Sequence, residues 1–276
     1  MLIQRFPDAA AFLAEAEPFL LEAEIENNLI LGVARELASR EPPPVVPPYF
    51  AAVRDDGGFL ALAFSSIADK LGLTRALRVE ALAPLARDAH AACPGLRVVG
   101  GPEPTAATFA KILATLRGTV ARPHMSHRIH ALQRVEELPN PAPGRLRPAR
   151  EDELDLITGW IAGFLDEIKD RGDPASMARE RIGGGTLFVW EDGRAVSMAG
   201  WAGKTPNGVR VNFVYTPTEL RGRGYATACV AELSRLLLAR GNRFCCLYTD
   251  LANPTSNAIY QRIGYRPVTD GAMYLV

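Results

Sequence analysis

Apolar positions along this chain fall into two alternating rhythms, and their order is repeated. In the second half, Leu146-Arg147-Pro148-Ala149 reads as a short strand. Residues 151–168 then place Leu154, Ile157, Ile161, Phe164, Leu165 and Ile168 on one side of a helix. Residues 174–181 predict a second helix, and 186–191 with 195–202 a hairpin turning at Asp192-Gly193. An apolar strand follows over 209–215. After it, Ala226, Val230, Leu233 and Leu237 line one face of a helix that Gly241 ends. A strand over 243–250, a helix from Asn253 to Gly264 and a last strand near 273–276 complete the half.

The first half echoes this order. Residues 49–63, turning at Asp55-Asp56-Gly57-Gly58, parallel 187–199. A helix over 80–92, a strand over 96–100 and a helix over 105–116 come next. Leu138 to Gly144 is rich in proline and reads as a stiff linker. Two units of similar plan are therefore expected, at 1–137 and 145–276, joined by 138–144. Pro42 to Pro48 reads as a rigid loop, and the polar break at Asn27-Asn28 has no mechanism in the sequence.

Between the strand 209–215 and its helix lies Arg221-Gly222-Arg223-Gly224-Tyr225-Ala226. A helix N-terminus presents backbone N–H groups without intrahelical partners, and their partial charge attracts anions. Gly222 and Gly224 permit a sharp bend and a close approach to the backbone. Arg221 and Arg223 add donors suited to phosphate. Alone, this stretch reads equally as a tight surface turn with two solvated arginines. It is not a dinucleotide fingerprint, because Thr227 stands where the third glycine belongs, and no Gly-Lys-Ser/Thr follows.

The helix after the next strand adds order. Asn253 suits an N-cap and Pro254 a first helical residue. Asn253, Asn257 and Tyr260 share one face, which predicts two amides and a phenol turned away from a core packed by Ile259 and Ile263.

Residues 145–276 resemble the GCN5-related N-acetyltransferase (GNAT) family. The match rests on Arg221, Gly224 and Ala226 at the strand-to-helix turn, then Asn253, Tyr260 and Gly264-Tyr265. The resemblance implies an α/β (α+β) fold with a mixed, mostly antiparallel sheet flanked by helices. The repeated order extends this to a tandem, with a degenerate first copy. It implies acetyl-coenzyme A as donor and an amine as acceptor. The diphosphate would lie on the amides of Arg221, Gly222, Arg223, Gly224, Tyr225 and Ala226, and Asn253, Ser256 and Asn257 would line the same cosubstrate. Tyr260 would act as general acid, and backbone N–H near Val214, Tyr215 and Thr216 would hold the oxyanion. A phenol of pKa about 10 suits a departing thiolate whose conjugate acid lies at about 8.5 to 10.

One position departs from the family pattern. Many members carry a glutamate five residues before the proline, where this chain has Asn212. An amide cannot take a proton at neutral pH. Asn212 ordering a water, a base from elsewhere and an amine arriving neutral all stay open. Glu219 is the nearest carboxylate in sequence and reads better as a solvated loop charge. In the first half, residues 80–87 have no glycine and the helix from Thr105 has Phe109 and no tyrosine, so that half lacks these groups.

Composition narrows the rest. The 276 residues hold 31 basic and 31 acidic side chains, so neither a nucleic-acid stripe nor an acidic tail is expected. No apolar run reaches membrane-spanning length, the N-terminus has no signal pattern, and four cysteines without metal or redox spacing fit a reducing cytoplasm. His124, His127 and His130 have no completing ligands, so no metal is expected; the first and third should face opposite to the second. Two functions from different classes stay open: an N-acyltransferase acting on a small amine or a protein amino group, or a CoA-binding sensor without turnover, which Asn212 favours. Acetyl is the default acyl group, with longer ones possible in duplicated members. Asp166, Glu167 and Asp170 are the acids placed to attract a cationic amine.

Overall fold

The computed structural model describes residues 1–42, 44 and 46–276, with the backbone alone for Thr255 and Ser256. Part of the proline loop expected at 42–48 thus lies outside the described residues, as does the Ser256 side chain.

Both halves follow one plan: a strand, two helices, an antiparallel meander, a helix, a parallel strand, a helix and a last strand. The first half runs β1 (Leu2–Phe6), α1 (Ala9–Leu21), α2 (Asn28–Ser39), β2 (Tyr49–Asp55), β3 (Gly58–Ile67) and β4 (Lys70–Leu73). It continues with α3 (Leu82–Ala92), β5 (Val98–Pro102), α4 (Thr105–Arg117) and β6 (Arg122–Leu132). The second half runs β7 (Arg145–Pro148), α5 (Leu154–Glu167), α6 (Pro174–Gly183), β8 (Leu187–Asp192), β9 (Arg194–Ala202) and β10 (Gly208–Tyr215). It ends with α7 (Tyr225–Ala239), β11 (Phe244–Asp250), α8 (Pro254–Ile263) and β12 (Arg266–Leu275).

The two sheets merge into one of twelve strands, ordered β1-β2-β3-β4-β5-β12-β6-β11-β10-β9-β8-β7. The centre is an exchange. Strand β12, from the second half, pairs with β5 and β6 of the first; β6 in turn pairs with β11 of the second. Four core clusters fill the layers. In the second half, α7 and α8 cover one face of the sheet through Cys229, Val230, Leu233 and Ile263, and α5 and α6 cover the other through Ile157, Ile161 and Ala178. The first half repeats this with α3 and α4 on one face and α1 and α2 on the other.

Several elements differ from the sequence reading. Strand β12 begins at Arg266, seven residues before the expected start at 273. Pro267 and Gly271 weaken its strand pattern, but Pro267 sits at a register shift against β6, where its missing N–H costs little. Strands β1 and β4 were not anticipated; both are short, with five and four residues. The Asn27-Asn28 break joins α1 to α2: both side chains are buried, and Asn27 Nδ2 donates to the Leu20 carbonyl at 3.0 Å. The ladder between β6 and β12 skips a residue at His124, so the expected alternation of the three histidines does not hold there. His127 lies beside the Tyr248 ring and His130 is buried next to Thr249. No metal-ligating group of three His, Cys, Asp or Glu side chains gathers among the described residues. No helix among them is long and apolar enough to cross a membrane.

Candidate active site

Strands β10 and β11 pair in parallel only from Gly208 to Arg210 against Phe244 to Cys246, and then part. Strand β11 stays in the sheet, held by β6 over Cys245 to Asp250. It is β10 that bends away. Its register against β9 breaks between Asn212 and Tyr215, with Phe213 at φ 50° in the left-handed region. That conformation costs a bulky residue about 1–3 kcal/mol and marks the bulge as imposed by its surroundings. A V-shaped cleft opens between 211–215 and 247–250.

The polar groups at the bend are arranged asymmetrically. Ser197 Oγ donates to the Tyr215 carbonyl at 3.1 Å, and Arg221 Nε to the Thr216 carbonyl at 2.9 Å. Thr216 Oγ1 and Ser197 Oγ share a further bond of 2.8 Å. Phe213 and Val214 have no register partner on β9 at this bulge.

Beyond the cleft, a one-turn 3-10 helix over Thr218–Leu220 leads into the glycine turn. Gly222 has φ 77° and Gly224 φ 80°, both left-handed, and a Cβ at Gly222 would meet nothing within 4 Å. The first α-helical bond of α7 runs from Ala228 N to Gly224 O at 3.0 Å, so the amides of Tyr225, Ala226 and Thr227 precede the ladder. The Arg221 amide is occupied by the Thr218 carbonyl at 3.3 Å. Its guanidinium turns back to Thr216 and pairs with Glu167 at the end of α5. Arg221 therefore braces the turn, and Arg223 is the cation left at its surface. Tyr225 donates to Asp192 Oδ2 at 2.7 Å, with the Arg223 side chain beside its hydroxyl.

Tyr260 differs from the expected arrangement. It does not stand opposite the isoleucines of α8 but shares their core: it is 8% exposed, in one cluster with Ile263 and with Ile259 packed against it. Its ring meets Tyr265 edge-on at 6.0 Å. Burial pushes its pKa up from the ordinary value, and nearby Cys229 adds to the shift, so the phenol keeps its proton at neutral pH. On the same helix, Asn257 Nδ2 donates to the Asp250 and Asn253 carbonyls at 3.2 and 2.9 Å, tying α8 to the end of β11. Asn212 Oδ1 and Asn257 Oδ1 are buried with no hydrogen-bond partner among the described residues.

Two of the acids expected to attract a cation are engaged elsewhere. Glu167 pairs with Arg221, and Asp170 with Lys70 of the first half at 2.5 Å. In the first half β4 and β5 also pair in parallel over three residues, Lys70 to Gly72 against Val98 to Gly100, but stay close beyond them. A Cβ at Gly101 on β5 would lie 2.9 Å from both Leu73 Cβ and its carbonyl oxygen, so β4 and β5 stay in contact. Thr105 Oγ1, at the start of α4, also accepts from the Ala76 amide at 3.0 Å.

Comparison with known proteins bears on the fold. Residues 190–273 match the family model described as FR47-like protein, a segment that holds β9 to β11, the glycine turn and Tyr260. No curated protein matches the sequence. Among solved structures, a Drosophila protein superposes with a TM-score of 0.66 at 12% identity, covering 99% of this chain and 98% of that one. A tandem GNAT protein from the clavulanic acid biosynthesis pathway, without AcCoA, gives 0.57 at 14% identity, covering 100% and 98%. A GCN5-related N-acetyltransferase from Sphaerobacter thermophilus gives 0.57 at 15% identity, covering 100% and 95%. The chain thus has the GCN5-related N-acetyltransferase fold in duplicate, with an FR47-like segment in its second copy.

Proposed function

We infer that the protein is an acyl-CoA-dependent N-acyltransferase whose chemistry lies in residues 145–276, with 1–137 as a degenerate copy and 138–144 as the linker. The observation that carries this reading is the pairing of an open β10–β11 cleft with a glycine turn of free first-turn amides, while the equivalent first-half strands, β4 and β5, stay in contact. The cleft suits the extended arm of acetyl-CoA, and the amides of 222–226 with Arg223 suit its diphosphate. Asn253, Ser256 and Asn257 would border the arm from α8.

The amine nitrogen attacks the thioester carbonyl carbon, the new C–N bond forms and the C–S bond breaks. Val214 N–H would hold the oxygen as it gains charge. The nitrogen loses its proton to water, which Asn212 Oδ1 can order but not deprotonate. Tyr260 donates to the departing sulfur. Its raised pKa makes full transfer to a thiolate uphill, so the phenol acts first as a hydrogen-bond donor that stabilises the sulfur's charge.

This assigns the pH profile. With no carboxylate on Asn212's position, the rising limb of kcat/KM belongs to deprotonation of the amine acceptor. Because the Tyr260 pKa is raised, no falling limb due to it should appear below about pH 10. A descending limb near pH 8 that Tyr260→Phe abolishes would contradict this assignment.

The glycine turn gives a second test. At Gly224 a Cβ would meet only Ala142 Cβ at 3.6 Å, an ordinary contact, so the strain of a substitution comes from the φ of 80°. Gly224→Val should shift the backbone and weaken CoA binding by about 10- to 100-fold, read by calorimetry. Unchanged affinity would move the diphosphate off this turn. A CoA sensor without turnover is the second reading, favoured by the amide at 212. Thiol release from acetyl-CoA across a panel of amines separates the two: release supports the enzyme, and binding without release supports the sensor.

A further inference from the structure

The face of the cleft opposite α7 and α8 carries two guanidinium groups that no carboxylate neutralises. Arg210 precedes Asn212 by two residues on β10, so both side chains point to the same side of the sheet. There Arg210 Nη1 donates to Asn28 Oδ1 on α2 at 3.2 Å, and Asn28 Nδ2 donates to the Tyr248 hydroxyl at 3.2 Å. Arg181, in the last turn of α6, reaches the same side. Its Nη1 donates to the Trp201 carbonyl at 3.3 Å, and its guanidinium lies 5.0 Å from the ring centroid of Phe213 at the bulge. Among the described residues, neither Arg181 nor Arg210 has an Asp or Glu oxygen within 4.0 Å. Arg147, by contrast, has two, from Glu153 at 2.7 Å and Glu191 at 2.6 Å.

Two nearby acids are committed elsewhere, and Glu36 and Glu180 act on Arg181 only from beyond ion-pair distance. Glu24 accepts from the Asn207 amide at 2.8 Å and from its Nδ2 at 2.7 Å, and Glu26 pairs with Arg75 at 2.9 Å. Burial lowers the Arg181 pKa, an effect that Glu180 and Glu36 only partly offset and that Arg210 reinforces. A partly buried cation without a close counter-ion is costly unless something supplies the charge. Behind Gly203 a groove of about 700 Å³ runs between α2 and the loop at 203–206, lined by Arg35, Glu36, Lys204 and Thr205 and not by the arginine pair itself. A Cβ at Gly203 in its wall would lie 3.2 Å from both Arg210 Nη atoms.

We propose that the acceptor is a small amine that also carries a carboxylate, gripped by Arg181 and Arg210 so that its nitrogen lies beside Asn212 and the bulge. Residues two apart on a strand are separated by about 7 Å, a span that fits an amine and a carboxylate a few bonds apart. Planar guanidinium forks match a carboxylate in geometry as well as charge. A polycationic acceptor would meet repulsion at the same place. The proposal rests on the acyl-transfer reading given above.

The test compares amino acids with their carboxamides, glycine with glycinamide and alanine with alaninamide, in the thiol-release assay. The same pairs are titrated calorimetrically against the CoA-saturated protein. The expected result is a preference for the acid in kcat/KM, or in affinity where turnover is slow. Arg181→Gln and Arg210→Gln should each shrink the acid-to-amide ratio by about 10- to 100-fold, mainly through KM, and leave CoA affinity unchanged. Comparing ratios between wild type and variant cancels the intrinsic reactivity of each amine and any general loss of stability. A ratio untouched by both variants, or carboxamides and polyamines preferred by the wild type, would overturn the proposal while leaving acyl transfer standing. Failure of CoA itself to bind would instead remove the underlying reading, and this one with it.

Discussion

Ending the chain after Tyr265 should abolish the cooperative fold of both halves, not only of the second. Ten of the eleven residues removed form β12, which lies in the middle of the sheet and not at an edge. They hold five register pairs with β5 and nine with β6. At about 1 kcal/mol net for each backbone hydrogen bond, their loss is on the order of 10 kcal/mol, comparable to the whole stability of about 5–15 kcal/mol of a typical domain. Side-chain links go too: Asp270 with Arg128 at 2.5 Å, and the Tyr274 hydroxyl donating to Glu103 at 2.6 Å. What remains exposes the edges of β5 and β6 as unpaired templates. The expected readout is loss of a sharp thermal transition by circular dichroism and loss of amide protection in β5. A truncated chain in which β4 and β5 keep native exchange protection would show that the first half closes its sheet without the borrowed strand.

The second large effect is catalytic. Tyr260→Phe should lower kcat for acetyl transfer by about 100- to 1,000-fold, within the range expected for removal of a positioned proton donor. It should leave CoA affinity within about twofold and the melting temperature nearly unchanged. The reason for this separation is geometric: the ring contacts with Tyr265, Ile259 and Ile263 survive in phenylalanine, and only the hydroxyl is lost. Tyr260→Ala is the contrast, since emptying so buried a site costs about 3–5 kcal/mol of stability. Unchanged turnover in the phenylalanine variant with every amine tried would take Tyr260 out of the mechanism.

Much of this was visible in the residues themselves. The glycine turn before α7 could be placed because Gly222 and Gly224 sit between an apolar strand and a clean helical stripe, and both have positive φ. The duplication showed in two matching hairpins. The strand exchange did not, because it concerns which strand lies beside which, and β6 and β12 carry no mark of their partners. Strand β12 itself was obscured by Pro267 and Gly271, residues tolerated there by the register shift and by the close approach of His127. Tyr260 was placed on the wrong side of α8 because helical spacing fixes which residues share a face, not which face the neighbours cover. Here α7 covers more of α8 than the isoleucines alone suggested, and the phenol lies in the core. The Asn27-Asn28 break gained meaning only from partners more than 180 residues away, at Arg210 and Tyr248. No local pattern reports such contacts.

The measurement closest to the centre of this account is a crystal structure of the protein grown with coenzyme A. The account predicts the diphosphate against the amides of 222–226, the arm between β10 and β11, and the sulfur beneath the Tyr260 hydroxyl. Coenzyme A bound in the first half, or a cleft between β10 and β11 left empty at saturating ligand, would contradict it.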